Sequence, residues 1–450
     1  MSTSPYIGWP GIVRLGLVQA SLGAIVVLTT STLNRVMVVE LALPAVLPGF
    51  LVAIHYFIQI SRPRFGHGSD LGGRRTPWII GGMAVLGAGG VLATLATAWM
   101  SVYPTGGIAL ALVAFLLIGL GVGASGTCLL VLLAARVDPQ RRAAAATTTW
   151  IMMIAGFAIT AGTVGAILDP FSLTRLVIIS ASVALIALLV TSLALWGLEG
   201  TPDSPYVDNE PDAEEKRRQF SLALREVINE PQTRRFAVFV FVSMLAYSAQ
   251  DLVLEPFAGA VLGLTPGEST QLGGTQHGGV LLGMLLVAFL GSVRRWNSRK
   301  VLRGCMILGC LLSATLLLAL AIAGFSSGAW PLTLNVFALG VANGMFAVAA
   351  IGSMMELMSS GAKNRDGMRM GLWGAAQAVA FGLGGILGTL AVDVTRHLTG
   401  STLVAYGGVF AAQAAMFALA ALLAAQLTKK QKHSRTSTTA HPFITEAGST

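Results

Sequence analysis

Apolar residues in this chain come in long runs broken by short polar punctuation. A run of about 20 mostly apolar residues is what an α-helix needs to cross a hydrocarbon layer. Twelve such segments are predicted, near 12–34, 47–62, 77–99, 106–135, 144–168, 174–197, 236–262, 276–293, 302–325, 330–359, 370–392 and 402–427. The first begins near Gly11 with Arg14 close to its start and exceeds 20 residues, so it reads as a spanning helix and not as a cleavable leader. The longest internal hydrophilic stretch, 198–235, parts six segments from six. The expected organisation is a six-helix bundle over 1–197, a linker over 198–235, a second six-helix bundle over 236–427 and a disordered tail over 428–450. The Pro/Asp/Glu-rich start of the linker should be extended, and its FSLALREV stretch suits a short interfacial helix.

Composition turns this pattern into an all-α integral membrane protein. The 450 residues are 54% hydrophobic and only 11% charged, whereas a soluble domain carries roughly 25% charged residues. Lys and Arg fix the orientation. With the amino terminus in the cytoplasm, all of the 29 except Arg35, Arg175 and Arg396 fall on the cytoplasmic side, so both termini are expected there. The net charge of +9 is therefore a topology signal and not a nucleic-acid footprint. Trp78, Trp99, Trp196 and Trp330 lie near segment ends, as interfacial residues do. Cys128, Cys305 and Cys310 lie inside apolar runs without metal-ligand spacing and read as small core residues.

The halves repeat. At an offset of 223, Arg142 meets Arg365, Trp150 meets Trp373, Gly162 meets Gly385 and Gly165 meets Gly388. At 225, GHGSDLGGRR meets GSVRRWNSRK, pairing Gly66 with Gly291 and Arg74 with Arg299, and Arg295 stands where the first half has Asp70. Six plus six helices around a central loop is the architecture of the major facilitator superfamily. The loop GHGSDLGGRRTPWI, 66–79, resembles that superfamily's signature: Gly66, Asp70, Gly73, Arg74 and Arg75 match it, and Leu71 departs from it. The resemblance implies a cytoplasmic latch in which Asp70 meets a neighbouring helix end. The arginines serve equally well as positive-inside determinants.

Charged groups within hydrocarbon are costly and mark functional candidates. They are Arg35 and Glu40 with Asn34 in helix 1, Asp251 and Glu255 with Gln250 in helix 7, and Glu356 in helix 10. Helices 1 and 7 hold equivalent places, and Asp251 and Glu255 share a face. Arg35 is the expected partner of these two acids. Two roles stay open for the cluster: closure of an outer gate, and direct contact with a ligand or proton. His55, inside helix 2, and His277, expected at the start of helix 8, are the histidines within apolar segments. Each suits either a hydrogen-bonded packing role or ligation of a magnesium porphyrin or proton. There is no phosphate-binding G-x-x-x-x-G-K-[ST] loop, nucleophile elbow or triad, so neither an ATP-driven pump nor an enzyme is expected.

TLNRVMVVELALPAVLPG, SRPRFGHGSDLGGRRTPWIIGG and QDLVLEPFAGAVLGL together resemble the PucC/LhaA family, a bacteriochlorophyll delivery branch of the same superfamily, over essentially all twelve helices. AIHYFIQISRPRFGHGSDLGGRR departs from the loop expected of PucC and LhaA themselves and points to a sister branch. The resemblance implies a light-harvesting assembly factor in the inner, intracytoplasmic membrane of a phototrophic bacterium. Its cargo would be bacteriochlorophyll, and its partners antenna polypeptides or other photosynthetic assembly factors. The alternative is a proton-coupled secondary transporter of a small amphipathic solute, with Asp251, Glu255 or Glu356 titrating.

Overall fold

A computed structural model describes residues 6–62, 65, 74–200, 230–292, 298–326, 330–359 and 366–437. These residues form twelve principal helices. In the first half they are α1 (Trp9–Glu40), α2 (Val46–Ile58), α3 (Thr76–Met100), α4 (Pro104–Arg136), α5 (Arg142–Leu168) and α6 (Leu173–Leu195). The second half holds α7 (Pro231–Ala260), α8 (Pro266–Ser292), α9 (Ser298–Ala323), α10 (Leu332–Ser359), α11 (Asp366–Thr399) and α12 (Thr402–Ser437). Prolines stand in the first turn of α1, α3, α4 and α7, where the missing N–H costs no helical bond.

Two expectations are corrected. Eleven helices among the described residues are long and apolar enough to span a membrane, and α2 is the twelfth apolar helix, with 13 residues and a short 3-10 turn to Ser61. Helix α8 starts at Pro266, not near 276, because the polar stretch GESTQLGGTQ is covered by protein and not by lipid. His277 is consequently well inside α8. Helix α12 runs on to Ser437, past Thr428, beyond which a disordered tail is expected from the sequence. FSLALREV lies outside the described residues.

Each half has its own apolar core. One gathers Leu15, Leu22, Met83, Phe115 and Ile118 with their neighbours; the other gathers Phe239, Phe257, Phe346, Phe410 and Phe417. Leu193, Ile159, Leu334 and Ile322 face outward, each at least 60% exposed. So much large apolar surface is stable only against lipid. Between the halves, α1 meets α7, α2 meets α11 and α5 meets α8. The contact with α7 falls mainly on the second half of α1, from Leu28 to Glu40. There α1 departs from α geometry: Leu28–Thr32 and Val36–Glu40 are π-helical turns on either side of Asn34 and Arg35. Such turns leave backbone carbonyls less regularly paired and rotate side chains out of register. The helix ends with Ala42 in the left-handed region, φ 50°, before Pro44.

Glycines set the closest crossing. Gly279 and Gly283 of α8 lie against Phe337 O and Val341 O of α10, while Gly340 and Gly344 of α10 lie against Gln276 O and Val280 O of α8. A Cβ at any of the four would sit 2.1–2.2 Å from a backbone oxygen. Two interlocked G-x-x-x-G faces bring the backbones together here.

Candidate functional site

The polar residues singled out in α1 and α7 do meet, at the end of the molecule opposite the chain termini. Arg35 is buried at 2% exposure. Its guanidinium donates through Nε to Ser269 Oγ at 3.0 Å and through Nη2 to Leu264 O at 2.7 Å, and Nη1 pairs with Glu40. The expected pairing with the α7 acids is therefore not made. The π-helical turn after Arg35 brings Glu40 back towards it, and the start of α8 supplies the other acceptors. Gly259 provides the floor: a Cβ there would stand 2.9 Å from Nη2.

Glu255 is 1% exposed. Its Oε1 accepts from Ser31 Oγ at 2.5 Å, and its Oε2 has no hydrogen-bond partner. Gly273 of α8 leaves the space it occupies. Asn34 donates to Leu252 O at 2.7 Å, tying α1 to the α7 backbone. One turn towards the termini, half-buried Asp251 lies within electrostatic reach of the Tyr56 and Tyr247 phenols. Both rings flank Phe381, with centroids 5.3 and 5.9 Å away. Gln250 points elsewhere, into the second bundle: Ser313 donates to Asn343 Oδ1 at 2.8 Å, and Asn343 donates to Gln250 Oε1 at 3.1 Å. Glu356 belongs to α10, and its side chain lies outside the described residues.

Two carboxylates absent from the sequence-based candidates close the same face. Asp169, after the last residue of α5, accepts from Thr265 Oγ1 at 2.5 Å and Gly267 N at 3.3 Å, at the head of α8. Asp393 of α11 accepts from Ala45 N at 3.1 Å and Val46 N at 2.8 Å, at the head of α2. Each carboxylate caps a helix of the other half, where unpaired N–H groups and the helix dipole favour negative charge. The signal was present as an offset of 224 between 169 and 393, in line with the 223 and 225 of the repeat.

At the terminal face, Gly66, Asp70 and Gly73 of the signature loop lie outside the described residues. Arg74 is exposed and Arg75 half-buried. The carboxylate found at the head of α3 is Glu199, which accepts from Arg75 N and from Thr76 N, the latter at 2.8 Å. Arg14 donates to Ala194 O at 2.8 Å and to Trp196 O, capping α6. These ties hold the exit of the first bundle.

His55 and His277 are both buried, and Nδ1 of each lacks a partner. The structure does not bring them together. His55 Nε2 lies 3.0 Å from Gln59 Nε2, and its ring packs on Tyr56 at 4.6 Å; His277 meets the edge of Phe157 at 5.1 Å. Neither borders either of two grooves that open outward on the first bundle. One, about 470 Å³, lies between α3 and α4 and is lined by Trp78, Gly81, Gly82, Val85, Leu120 and Gly121 among others. The second, about 400 Å³, lies between α3 and α6 around Gly87, Leu95 and Leu185.

Two six-helix bundles, closed at one face by paired helix caps and exposing apolar flanks, define a multi-pass membrane protein of major facilitator fold. Solved structures agree. A bacterial homologue of the human drug peptide transporters PepT1 and PepT2 superposes with a TM-score of 0.68 at 14% identity, covering 94% of this chain and 99% of that one. A mutant of the peptide transporter POT, solved in complex with sulfate, gives 0.68 at 15% identity, covering 95% and 98%. Residues 32–432 match the family described as PUCC protein. The chain is 52% identical to the Bacteriochlorophyll synthase 44.5 kDa chain of Rhodobacter capsulatus, over 93% of this chain and 95% of that one. It is 28% identical to Protein PucC of Cereibacter sphaeroides, over 83% and 81%. The chain belongs to the PucC family.

Proposed function

We propose that this protein is an assembly factor for photosynthetic light-harvesting complexes, holding bacteriochlorophyll for antenna polypeptides as they enter the membrane. The relatives support an association with photosynthetic complex assembly, and one carries bacteriochlorophyll in its name. The word synthase belongs to that relative; for this chain we infer carriage without catalysis. The setting would be the inner membrane of a phototrophic bacterium, with the face bearing both termini in the cytoplasm, as the arginine bias requires.

The observation that carries the reading is the outward groove between α3 and α4. Gly81 there has open space where a Cβ would stand, and Gly82 and Gly121 keep the floor flat. A bacteriochlorin ring is flat and apolar, and an antenna polypeptide is a single membrane helix. Both fit a lipid-facing groove better than an enclosed polar cavity. The magnesium of such a pigment takes one axial ligand, and the orphaned Nδ1 atoms of His55 and His277 are of the right chemistry. Their burial away from both grooves favours apolar holding of the ring over axial ligation. Proton-coupled transport of a small amphipathic solute is the second reading, favoured by buried Glu255 at the junction of α1, α7 and α8.

The test is pigment retention by the protein purified in mild detergent from its own pigmented membranes. Stoichiometric near-infrared absorption in the wild type, lost in Gly81→Leu and kept in His55→Ala and His277→Ala, supports the groove. Loss in a histidine variant alone moves the pigment to that residue. A colourless protein, with solute flux driven by a proton gradient in vesicles, overturns carriage in favour of transport.

A further inference from the structure

The hydrogen-bond accounting at Glu255 does not close. Oε1 accepts from Ser31, Oε2 has no partner, and the side chain is 1% exposed. The nearby guanidinium of Arg35 is committed to Glu40, Ser269 and Leu264 O. A buried ionised carboxylate needs donors or a cation at both oxygens, whereas an unpartnered neutral hydroxyl costs far less. One arginine thus stands among two acids, and it is paired with the more exposed of them.

We propose that Glu255 is a proton-binding site whose occupancy holds the face opposite the termini closed, and that loss of the proton draws Arg35 from Glu40 towards Glu255. The bond that breaks is Glu255 O–H. The proton goes to water, and the charge left behind competes for the guanidinium. Arg35 is the hub of the closed face, because it joins α1 to the loop and first turn of α8. Moving it releases Leu264 O and Ser269 and slackens that junction.

The other charged and titratable groups around Glu255 are accounted for. Arg35 lies near it on α1 with Glu40 paired to the guanidinium, and Asp251 precedes it by one turn on α7. From α8, Glu268 accepts from Thr265 N at 2.8 Å, and His277 lies one turn beyond Gly273. Tyr56 of α2 lies nearer Asp251, and Asp169 and Asp393 are engaged as helix caps. The inference is independent of any pigment or antenna cargo.

The experiment uses the full-length protein in detergent and reads two signals. In infrared difference spectra between acid and alkaline buffer, the wild type is expected to show a protonated-carboxyl band that shifts in D2O. That band should be lost in Glu255→Gln and kept in Asp251→Asn. The second signal is maleimide labelling of Thr270→Cys, a position fully buried against Thr32 at 3.4 Å. Labelling is normalised at each pH to the unfolded protein, because thiolate fraction itself rises with pH. It should rise with pH in the wild-type background and stay low at every pH with Glu255→Gln. A band that survives Glu255→Gln, or vanishes in Asp251→Asn instead, overturns the assignment. If Glu255→Gln does not fold, Ser31→Ala replaces it: removing the donor to Oε1 must shift the band, and an unmoved band overturns the proposal equally.

Discussion

Asp169 and Asp393 occupy equivalent positions in the two halves and perform the same task on each other's territory. Asp169 follows α5 and caps α8; Asp393 lies on α11 and caps α2. The two contacts are related by the internal repeat, so the closed face is a symmetric clasp. A carboxylate accepting backbone N–H groups at a helix start satisfies donors that would otherwise be orphaned and also meets the positive end of the helix dipole.

Removing the clasp should loosen that face without unfolding either bundle. Asp169→Ala and Asp393→Ala should each cost about 1 kcal/mol, the usual loss for an amino-terminal cap. The two sites lie on separate helix pairs and share no partner, so the costs should add to within about 0.5 kcal/mol. Labelling of Thr270→Cys checks this: it should rise in each single variant and rise further in the double.

Arg35 discriminates between two pairings. Arg35→Ala should cost about 2–3 kcal/mol, below the about 3–5 kcal/mol of a fully buried broken pair, because Glu40 is one-third exposed. Glu40→Gln should recover part of the loss, since it removes the carboxylate left without its partner. Asp251→Ala should recover none. Thermal melts of Arg35→Ala alone and combined with Glu40→Gln or Asp251→Ala, in one detergent, settle the point, and rescue by Asp251→Ala would return Arg35 to the acids of α7.

Much of this was legible in the sequence. Apolar run length marks out twelve helices and the split between halves, because a bilayer imposes one length on every spanning element. It fails at the start of α8, where protein and not lipid covers the chain. Pro266–Gln276 is helical because α5 covers it, with Gly162 against Gly274 and Gly165 against Gly267. Asn34, Arg35, Glu40 and Glu255 stand out because charge in hydrocarbon is rare. The partner of Arg35 does not, because α1 is not a regular α-helix there. In uniform 3.6-residue geometry, positions 35 and 40 are five apart and do not stack; the π-helical turn brings them together. Asp169 and Asp393 escape notice for a different reason: helix-end acids look solvated until the opposing helix start is known.

Asn343 is the bridge of a buried chain from Ser313 on α9 to Gln250 on α7. Asn343→Ala strands two polar partners at once, and each unsatisfied buried group costs about 1–3 kcal/mol. Ser313→Ala removes one donor and leaves Asn343 its other contact, so a loss of about 0.6 kcal/mol is expected, the average for such bonds in membranes. Unfolding titrations of the two variants should therefore differ by at least about 1 kcal/mol. Equal losses would show that the chain does not act through Asn343.

The interlocked glycines of α8 and α10 make the sharpest test of the packing. A Cβ at Gly283 would stand 2.2 Å from Val341 O, and one at Gly344 would stand 2.1 Å from Val280 O. Backbone atoms on both sides cannot step aside as a flexible side chain can, so the helices must separate. Gly283→Val and Gly344→Val should each cost more than the about 1–3 kcal/mol of ordinary overpacking, and both should sharply reduce the monodisperse protein recovered. Gly81→Leu is the control, since nothing lies within 4 Å of a Cβ there and the change adds bulk only on the lipid-facing flank. It should purify at wild-type yield. If Gly283→Val does the same, the two backbones are not in contact and the crossing of α8 with α10 has to be redrawn.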